Sequence, residues 1–464
     1  MVSGEKVEKC ISSCCLNFFD FKQTKGSRSE LTRPRMLRSF IVALLTFAAL
    51  ANARCVQGSR TLVIYDERLS VLDNYSNLFN SMRERDYTLD FISVANETSS
   101  LQLFKGENKI YDNLMVFPIK GKTLNKHVSG KSLLQFSLAG GNVLAVSSPE
   151  SLSDPVRLFL NQLGIYPSPK DYRLVDHFQK SSDGIRIGTD GLKNRFVYKP
   201  YDEEEDFFIT NSSVAILDNR EQLVPILVAP RTSYASGKGK DLWVSGSQGY
   251  LVVGFQALNN ARTAWVGSPE FLSNSNHQSN GILAKELTKW TFKEKGVIKT
   301  NGFRHSHIDG TSYEEAPYKI KDAVNYEVSF SEWNGEEWQP FEATDIQFEL
   351  KMLDPYYRLN LIPSHRDETY QWYTTGDFRL PDHHGVFTFQ VDYKRAGLSL
   401  VSVSDVKAIR HLAHDEYPRS WEITNARVYI SGIFAVIFAW VLFVIFFVST
   451  SKTTKNFNTE KKNN

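Results

Sequence analysis

The stretch VYISGIFAVIFAWVLFVIFFV, Val428 to Val448, limits what the rest of this chain can be. It carries no charge, no proline and one glycine, and it matches the roughly 20 apolar residues a helix needs to cross a bilayer. A helix satisfies its own backbone polar groups, which hydrocarbon demands. A buried core helix is the other reading, and the run's length and its apolar character on all faces favour the span. Behind it lies STSKTTKNFNTEKKNN, where Lys452, Lys455, Lys461 and Lys462 outweigh Glu460. Such a tail stays cytosolic and, being polar and rich in Asn and Thr, is expected to be disordered. Everything before the span is then lumenal or extracellular, provided the chain carries an entry signal.

Residues 36–53, MLRSFIVALLTFAALANA, supply one: a basic start at Arg38, an apolar core from Phe40 to Leu50, and the small-x-small site Ala51-Asn52-Ala53. Residues 1–35 precede it, polar and mixed in charge. Translation starting at Met36 accounts for them as a non-native extension, with a mature chain starting near Arg54. The alternative is a cytosolic extension held by an uncleaved anchor, for which the apolar core is short.

Cys10, Cys14 and Cys15 lie in that extension and Cys55 just past the cut, so the body from Ser59 onward has no cysteine and no disulfide. A chain this long can bury a core without covalent staples. The net charge of +2 divides unevenly. The extension holds +3, Arg38 one more, and the span with its tail +3, which leaves the lumenal part at −5. That balance leaves no basic stripe for nucleic acid. Three sequons, at Asn74, Asn96 and Asn211, fall in the lumenal part and are N-glycosylation candidates.

Along the body, strand and helix patterns alternate. Thr61–Tyr65, Tyr87–Val94, Asn113–Ile119 and Asn142–Ser147 read as strands. Leu69–Asp86 and Val128–Ala139 read as helices, as does a segment capped by Asp154, with Pro155 in its first turn and Gly164 as its stop. Further strands follow near Val214–Leu217, Val224–Val228, Tyr250–Phe255 and Thr263–Val266, then a helix over Ile282–Lys293. This alternation predicts a Rossmann-like, doubly wound parallel α/β region over 59–295, in one or two subdomains. From Val297 the period becomes that of strands: Val324–Ser331, Trp338–Phe341, Asp345–Met352, Arg358–Leu361, Gly385–Tyr393 and Ser399–Val403, with Asn334-Gly335 as a tight turn. An antiparallel β-sandwich over 297–404 is expected, then a juxtamembrane segment over 405–427.

No phosphate loop follows the first strand, which runs on as YDERLSVLDN, and Ser236–Lys240 has the composition of one without the spacing. No cofactor is therefore expected. His305-Ser-His307-Ile-Asp309 is the sharpest metal-like pattern, since H-x-H-x-D can place ligands on one side of an extended chain. A catalytic site would need further ligands, and turn and backbone hydrogen bonds explain the same residues. The acidic run Glu203–Asp206 reads as a solvated loop. No nucleophile elbow or Cys–His pair appears, so no catalytic residue is assigned. Two other readings stay open: a single-span metallohydrolase using His305, His307 and Asp309, and a lumenal glycan-binding receptor using Trp333, Trp338 and Trp372.

The segments TLVIYD, LNQLGIYPSPK, LVPILVAPRTS, YLVVGFQALNNAR, HSHIDGTSYEEAPYKIKD, EWNGEEWQP, DPYYRL, GVFTFQVDY and HDEYPRSWEI occur in that order. Together they resemble the fungal wheat-germ-agglutinin-binding, or beta, subunit of the endoplasmic reticulum oligosaccharyltransferase. The resemblance runs from about Ser59 to the tail and lacks only the extension. It implies a non-catalytic subunit, with assembly and stability as its role. The complex transfers a preassembled oligosaccharide from dolichyl diphosphate to Asn of Asn-x-Ser/Thr. Its partners would be the catalytic subunit and small membrane subunits, in the endoplasmic reticulum membrane. Lys461 and Lys462, fourth and third from the end, have the K-K-x-x form of a dilysine retrieval signal read by coat proteins.

Overall fold

Alternation along one strand sets the plan of the N-terminal half. In β1, Arg60–Tyr65, Val63 turns to one face and Leu62 and Ile64 to the other, and all three are fully buried. A strand buried on both faces needs cover on both, and each such side chain stabilises by about 1.5–3 kcal/mol. The computed structural model describes residues 55–56, 58–94, 101–121, 124, 128–181, 184–200, 207–237, 239, 241–274, 278–417 and 425–460. The expected leader, Asn96, Glu203–Asp206, Lys461 and Lys462 lie outside them.

The chain divides into two compact units. One comprises the residues up to Val297 together with Trp333–Trp338 and Arg395–Ser399. Its centre is a nine-stranded sheet. The strands are β1, β2 (Thr88–Ser93), β3 (Asn113–Val116), β4 (Asn142–Val146), β5 (Ile165–Pro167), β6 (Ala215–Leu217), β7 (Leu223–Val228), β8 (Tyr250–Gln256) and β9 (Arg262–Val266). Their order is β2-β1-β3-β4-β9-β8-β6-β5, with β7 also on β8. Strands β2, β1, β3, β4 and β9 are parallel, while β8, β7, β6 and β5 pair antiparallel. The sheet is mixed, where the alternation predicts a parallel one. The reason is local: five residues, Ala257–Ala261, join β8 to β9, too few for a crossover, so a hairpin forms.

Helices cover both faces. Against one lie Leu78, Phe79 and Met82 of α1 (Ser76–Glu84), and Leu283, Leu287 and Trp290 of α4 (Gln278–Thr291). Against the other lie Leu133 and Phe136 of α2 (Gly130–Leu138), and Val156, Phe159, Leu160 and Leu163 of α3 (Asp154–Leu163). Ser129 and Ser132 close a capping box on α2. In α3, Ser153 is the N-cap and Asp154 sits in the first turn; Gly164 ends the helix at φ +87°, the left-handed region only glycine enters freely.

The second unit is all strands up to its terminal helix. Its strands are β10 (Val297–His307), β11 (Ala323–Trp333), β12 (Gln347–Lys351), β13 (Pro355–Asn360), β14 (Ile362–Arg366), β15 (Gln371–Thr374), β16 (Phe378–Arg379), β17 (Gly385–Tyr393) and β18 (Val401–Ile409). One sheet runs β10-β11-β15-β14, with β16 also on β11; the other runs β13-β12-β17-β18. Rings fill the space between them. Tyr326 of β11 lies 4.6 Å from Phe348 of β12, and Phe330 lies 6.2 Å from Tyr393 of β17. Strand β18 reaches Ile409, beyond the expected end at Val403, because β17 pairs with it as far as Gly385↔Ile409, and its charged Asp405 and Lys407 find partners in His305 and Glu314.

Helix α5, Ala426–Glu460, contains the apolar run. Its segment Ala426–Thr450 is long and apolar enough to cross a membrane, about 37 Å at 1.5 Å per residue, and none of it is buried. The helix continues to Glu460, where the composition predicts disorder. No Pro or Gly follows Val448, and extending an existing helix is far easier than starting one.

Candidate functional site

In open α/β sheets ligands bind beyond the carboxyl ends of the strands, where the strand order reverses. Here that place lies between β1 and β3. A side chain already fills it. Asp66, at the end of β1 and 1% exposed, accepts hydrogen bonds from the backbone N–H groups of Arg68 (3.1 Å) and Lys120 (3.2 Å). Those N–H groups are the kind that would cradle a phosphate. The carboxylate takes the anion's role from within the chain.

A second polar centre has no counterpart among the sequence motifs. Arg262, at the start of β9, is fully buried without a carboxylate partner among the described residues. Its guanidinium donates to the carbonyls of Trp290 (2.8 Å), Lys295 (2.6 Å) and Gly296, to Ser399 Oγ (3.2 Å) and to Gln256 Oε1 (3.3 Å). It also lies 5.0 Å from the Trp290 ring. The fork gathers the end of α4 and the stretch Arg395–Ser399 within the first unit, where Gly397 O accepts from Trp290 Nε1 at 2.8 Å. Burial lowers the Arg262 pKa to about 9. Lys293, 5% exposed, is lowered to about 7 by burial and then by the charge of Arg262. Nearby, Arg85 and Glu294 form a buried pair at 2.8 Å. The sequence signal for this centre is weak: one arginine opening a run of apolar strand residues, RTAWV.

The H-x-H pattern does lie on an extended strand, β10. Residues two apart share a face, and the rings of His305 and His307 both meet Tyr318, at 5.7 and 4.8 Å. Their nitrogens, however, are engaged inside the unit. His305 Nε2 lies 2.9 Å from Asp405 Oδ2, and Nδ1 lies 2.8 Å from Tyr318 Oη. An ionised carboxylate only accepts, so Nε2 carries a proton. His307 Nε2 donates to Ala316 O at 2.9 Å. Asp309 is beyond the strand, where Oδ1 accepts from Thr311 N at 3.1 Å, a bond that holds its carboxyl below the usual range. Among the described residues, no three His, Cys, Asp or Glu side chains stand as a metal-holding group.

Asp405, His305 and Tyr318 form a carboxylate–imidazole–hydroxyl series, the order of a nucleophile relay. The Tyr318 side chain is fully buried, and burial, then Asp405, raises its pKa further. No substrate reaches that oxygen, so the series works as a brace. Burial opposes ionisation of Asp405, but the His305 bond and Lys407 hold its carboxyl below the ordinary range.

Trp333, Trp338 and Trp372 are half-buried. Trp333 and Trp338 stand 5.3 Å apart, and Arg304 covers Trp372 at 4.7 Å. Asn74 and Asn211 are both exposed.

The OST48 N-terminal domain matches residues 52–294, and the OST48 middle domain matches residues 305–451. The chain belongs to the OST48 family. It is 54% identical over 410 residues to the dolichyl-diphosphooligosaccharide–protein glycosyltransferase subunit WBP1 of Saccharomyces cerevisiae, spanning 88% of this chain and 95% of that one. The wbp1 subunit of Schizosaccharomyces pombe is 30% identical over 86% and 94% of the two chains. The 48 kDa subunit of Danio rerio is 29% identical over 89% and 97%. The N-terminal domain of mmIFT52 resembles half of the chain with a TM-score of 0.38 at 11% identity, a likeness too loose to fix a fold. The OST48 matches take in Asp66 and Arg262 in the N-terminal domain, and the His305 brace with most of the apolar helix in the middle domain.

Proposed function

We propose that the chain is an accessory, non-catalytic subunit of the oligosaccharyltransferase, the dolichyl-diphosphooligosaccharide–protein glycosyltransferase. One observation carries this: 54% identity across 95% of a relative of that name. Further support is chemical. The β1 end is closed by Asp66, and the His305 relay is closed by the burial of Tyr318. Neither leaves a reacting group accessible.

In this reading the chain crosses the endoplasmic reticulum membrane once, with its bulk in the lumen. The region over 59–295 is a Rossmann-like layered domain, supported by helices on both faces of its sheet. The region over 297–404 is a β-sandwich, supported by the ring contacts between its two sheets. Residues 36–53 direct entry, 1–35 are non-native, 405–427 lead to the span, and Lys461 and Lys462 recruit coat proteins for retrieval. The catalytic and small membrane subunits are its partners, and its contribution is to assemble and hold them.

Depleting the chain in cells, with a secreted reporter carrying several sequons, tests the reading. Loss of sugar from the reporter, restored by this chain and equally by its His305→Gln variant, is expected. Full reporter occupancy after depletion would contradict a role in the complex. Failure of His305→Gln alone, at normal abundance, would restore a chemical role to the relay.

A further inference from the structure

The sequon Asn211-Ser212-Ser213 is built into the first unit in a way that closes it. Asn211 is exposed, but Ser212 and Ser213 are 0% and 3% exposed. The Ser213 hydroxyl donates to Gly267 O at 2.7 Å and lies 3.1 Å from Ser147 Oγ. Its backbone N–H also donates to Gly267 O, at 3.0 Å. The carbonyls on either side are bound as well, Ser212 O by Leu174 N at 3.0 Å and Val214 O by Ser168 N at 2.7 Å. The fit is tight: a Cβ on Gly267 would stand 2.3 Å from Ser213 O and 2.4 Å from Ser212 Oγ.

A sequon is defined by two groups, the Asn amide and the hydroxyl two residues on, so a transferase must reach both. In the folded unit it can reach only the first. We propose that Asn211 is an N-glycan acceptor in the extended chain and is closed as an acceptor once β6 joins the sheet. Modification at this site therefore precedes folding of the first unit. The acceptor meets its enzyme in the cell through the lumenal placement proposed above.

The chemistry requires a sugar activated at C1, which the proposed complex supplies as a lipid-diphosphate-linked oligosaccharide. The Nδ2 nitrogen forms a bond to C1 of the first sugar. The C1–O bond to the diphosphate breaks, its electron pair leaves on the lipid diphosphate, and one Nδ2 proton passes to a base. The product is compatible with the fold. Nδ2 keeps one N–H, and Glu270 Oε1, 3.5 Å away, remains available to accept it. Asn211 N donates to the other oxygen of the same carboxylate.

The test uses the full chain, made without sugar and purified in detergent. Active transferase and lipid-linked donor are supplied to it folded and, in parallel, denatured and diluted. Both reagents come from outside, so the result is independent of the chain's own place in a complex. Occupancy at Asn211 is read by mass spectrometry. The denatured chain is expected to accept, and the folded chain about a thousandfold more slowly, in line with the small fraction of a stable domain that is open. Gly267→Ala, which crowds Ser213, should raise the rate on the folded chain. Equal rates on folded and denatured wild type would overturn the proposal, and so would no acceptance on either.

Discussion

The two units solve the same problem, a stable body without disulfides, with different materials. The first places charge inside. Arg262 is buried against backbone carbonyls, with Arg85–Glu294 and Lys293 nearby. In the second, no charged side chain is fully buried among the described residues, and rings fill its middle: Tyr326, Phe348 and Phe389 within 4.6 to 6.4 Å of one another, with Phe330, Tyr373 and Tyr393 beyond. The hydrophobic drive that buries rings is non-directional and carries no charge, while a buried guanidinium needs each acceptor in place. The first unit should therefore be the more sensitive to pH and to conservative changes, and the second to loss of volume.

The largest effect should come from volume. Phe348→Ala removes a fully buried ring touching Tyr326, Phe378 and Phe389, and should cost about 3–5 kcal/mol. Limited proteolysis should show the second unit cut first while the first resists. Loss of both together would mean that the units do not unfold separately. Next comes Arg262→Lys, which keeps the charge but not the fork. It should destabilise the first unit by roughly 2–3 kcal/mol in denaturant unfolding, and a neutral result would reduce Arg262 to a filler of space.

The pH contrast is sharper. Lys293 ionises near 7 in the folded chain and near 10.5 in the unfolded one. Between those values the unfolded state binds the extra proton, so stability rises with pH across that window, by up to about 1.4 kcal/mol per pH unit for this group. Lys293→Met should flatten the slope between pH 7 and 9 and leave the first unit more stable at pH 7. An unchanged slope would place the titration elsewhere. In the second unit Asp405→Asn should cost about 1 kcal/mol at neutral pH, the scale of one hydrogen bond. The Asp405 carboxyl is held below its ordinary value, so its contribution is present at neutral pH and lost as pH falls through the folded value. The variant should lose that acid sensitivity, which thermal melts at falling pH would show.

Much of the architecture is legible in the amino-acid sequence. Gly164, Pro155 and the apolar runs of β1, β3 and β4 mark their elements through backbone restriction and burial on both faces, which are local effects. What the sequence hides is set by partners far along the chain. The charged half of β18 reads as a loop until His305 is placed opposite Asp405. Strands β14 and β15 carry too little apolar alternation, IPSHR and QWYT, to be seen alone. The H-x-H spacing does mark one face of an extended chain, but only the fold shows Tyr318 and Asp405 engaging His305. Arg262 is invisible because its acceptors are carbonyls, which no sequence pattern distinguishes.

The proposed function makes this a body that holds its partners rather than one that reacts. The most direct test of that account is affinity purification of the tagged full chain from detergent-solubilised endoplasmic reticulum, with identification of what accompanies it. The account predicts the multi-spanning catalytic subunit and small membrane subunits of the oligosaccharyltransferase in constant proportion. Recovery of the chain alone, with those subunits assembled and active without it, would contradict it.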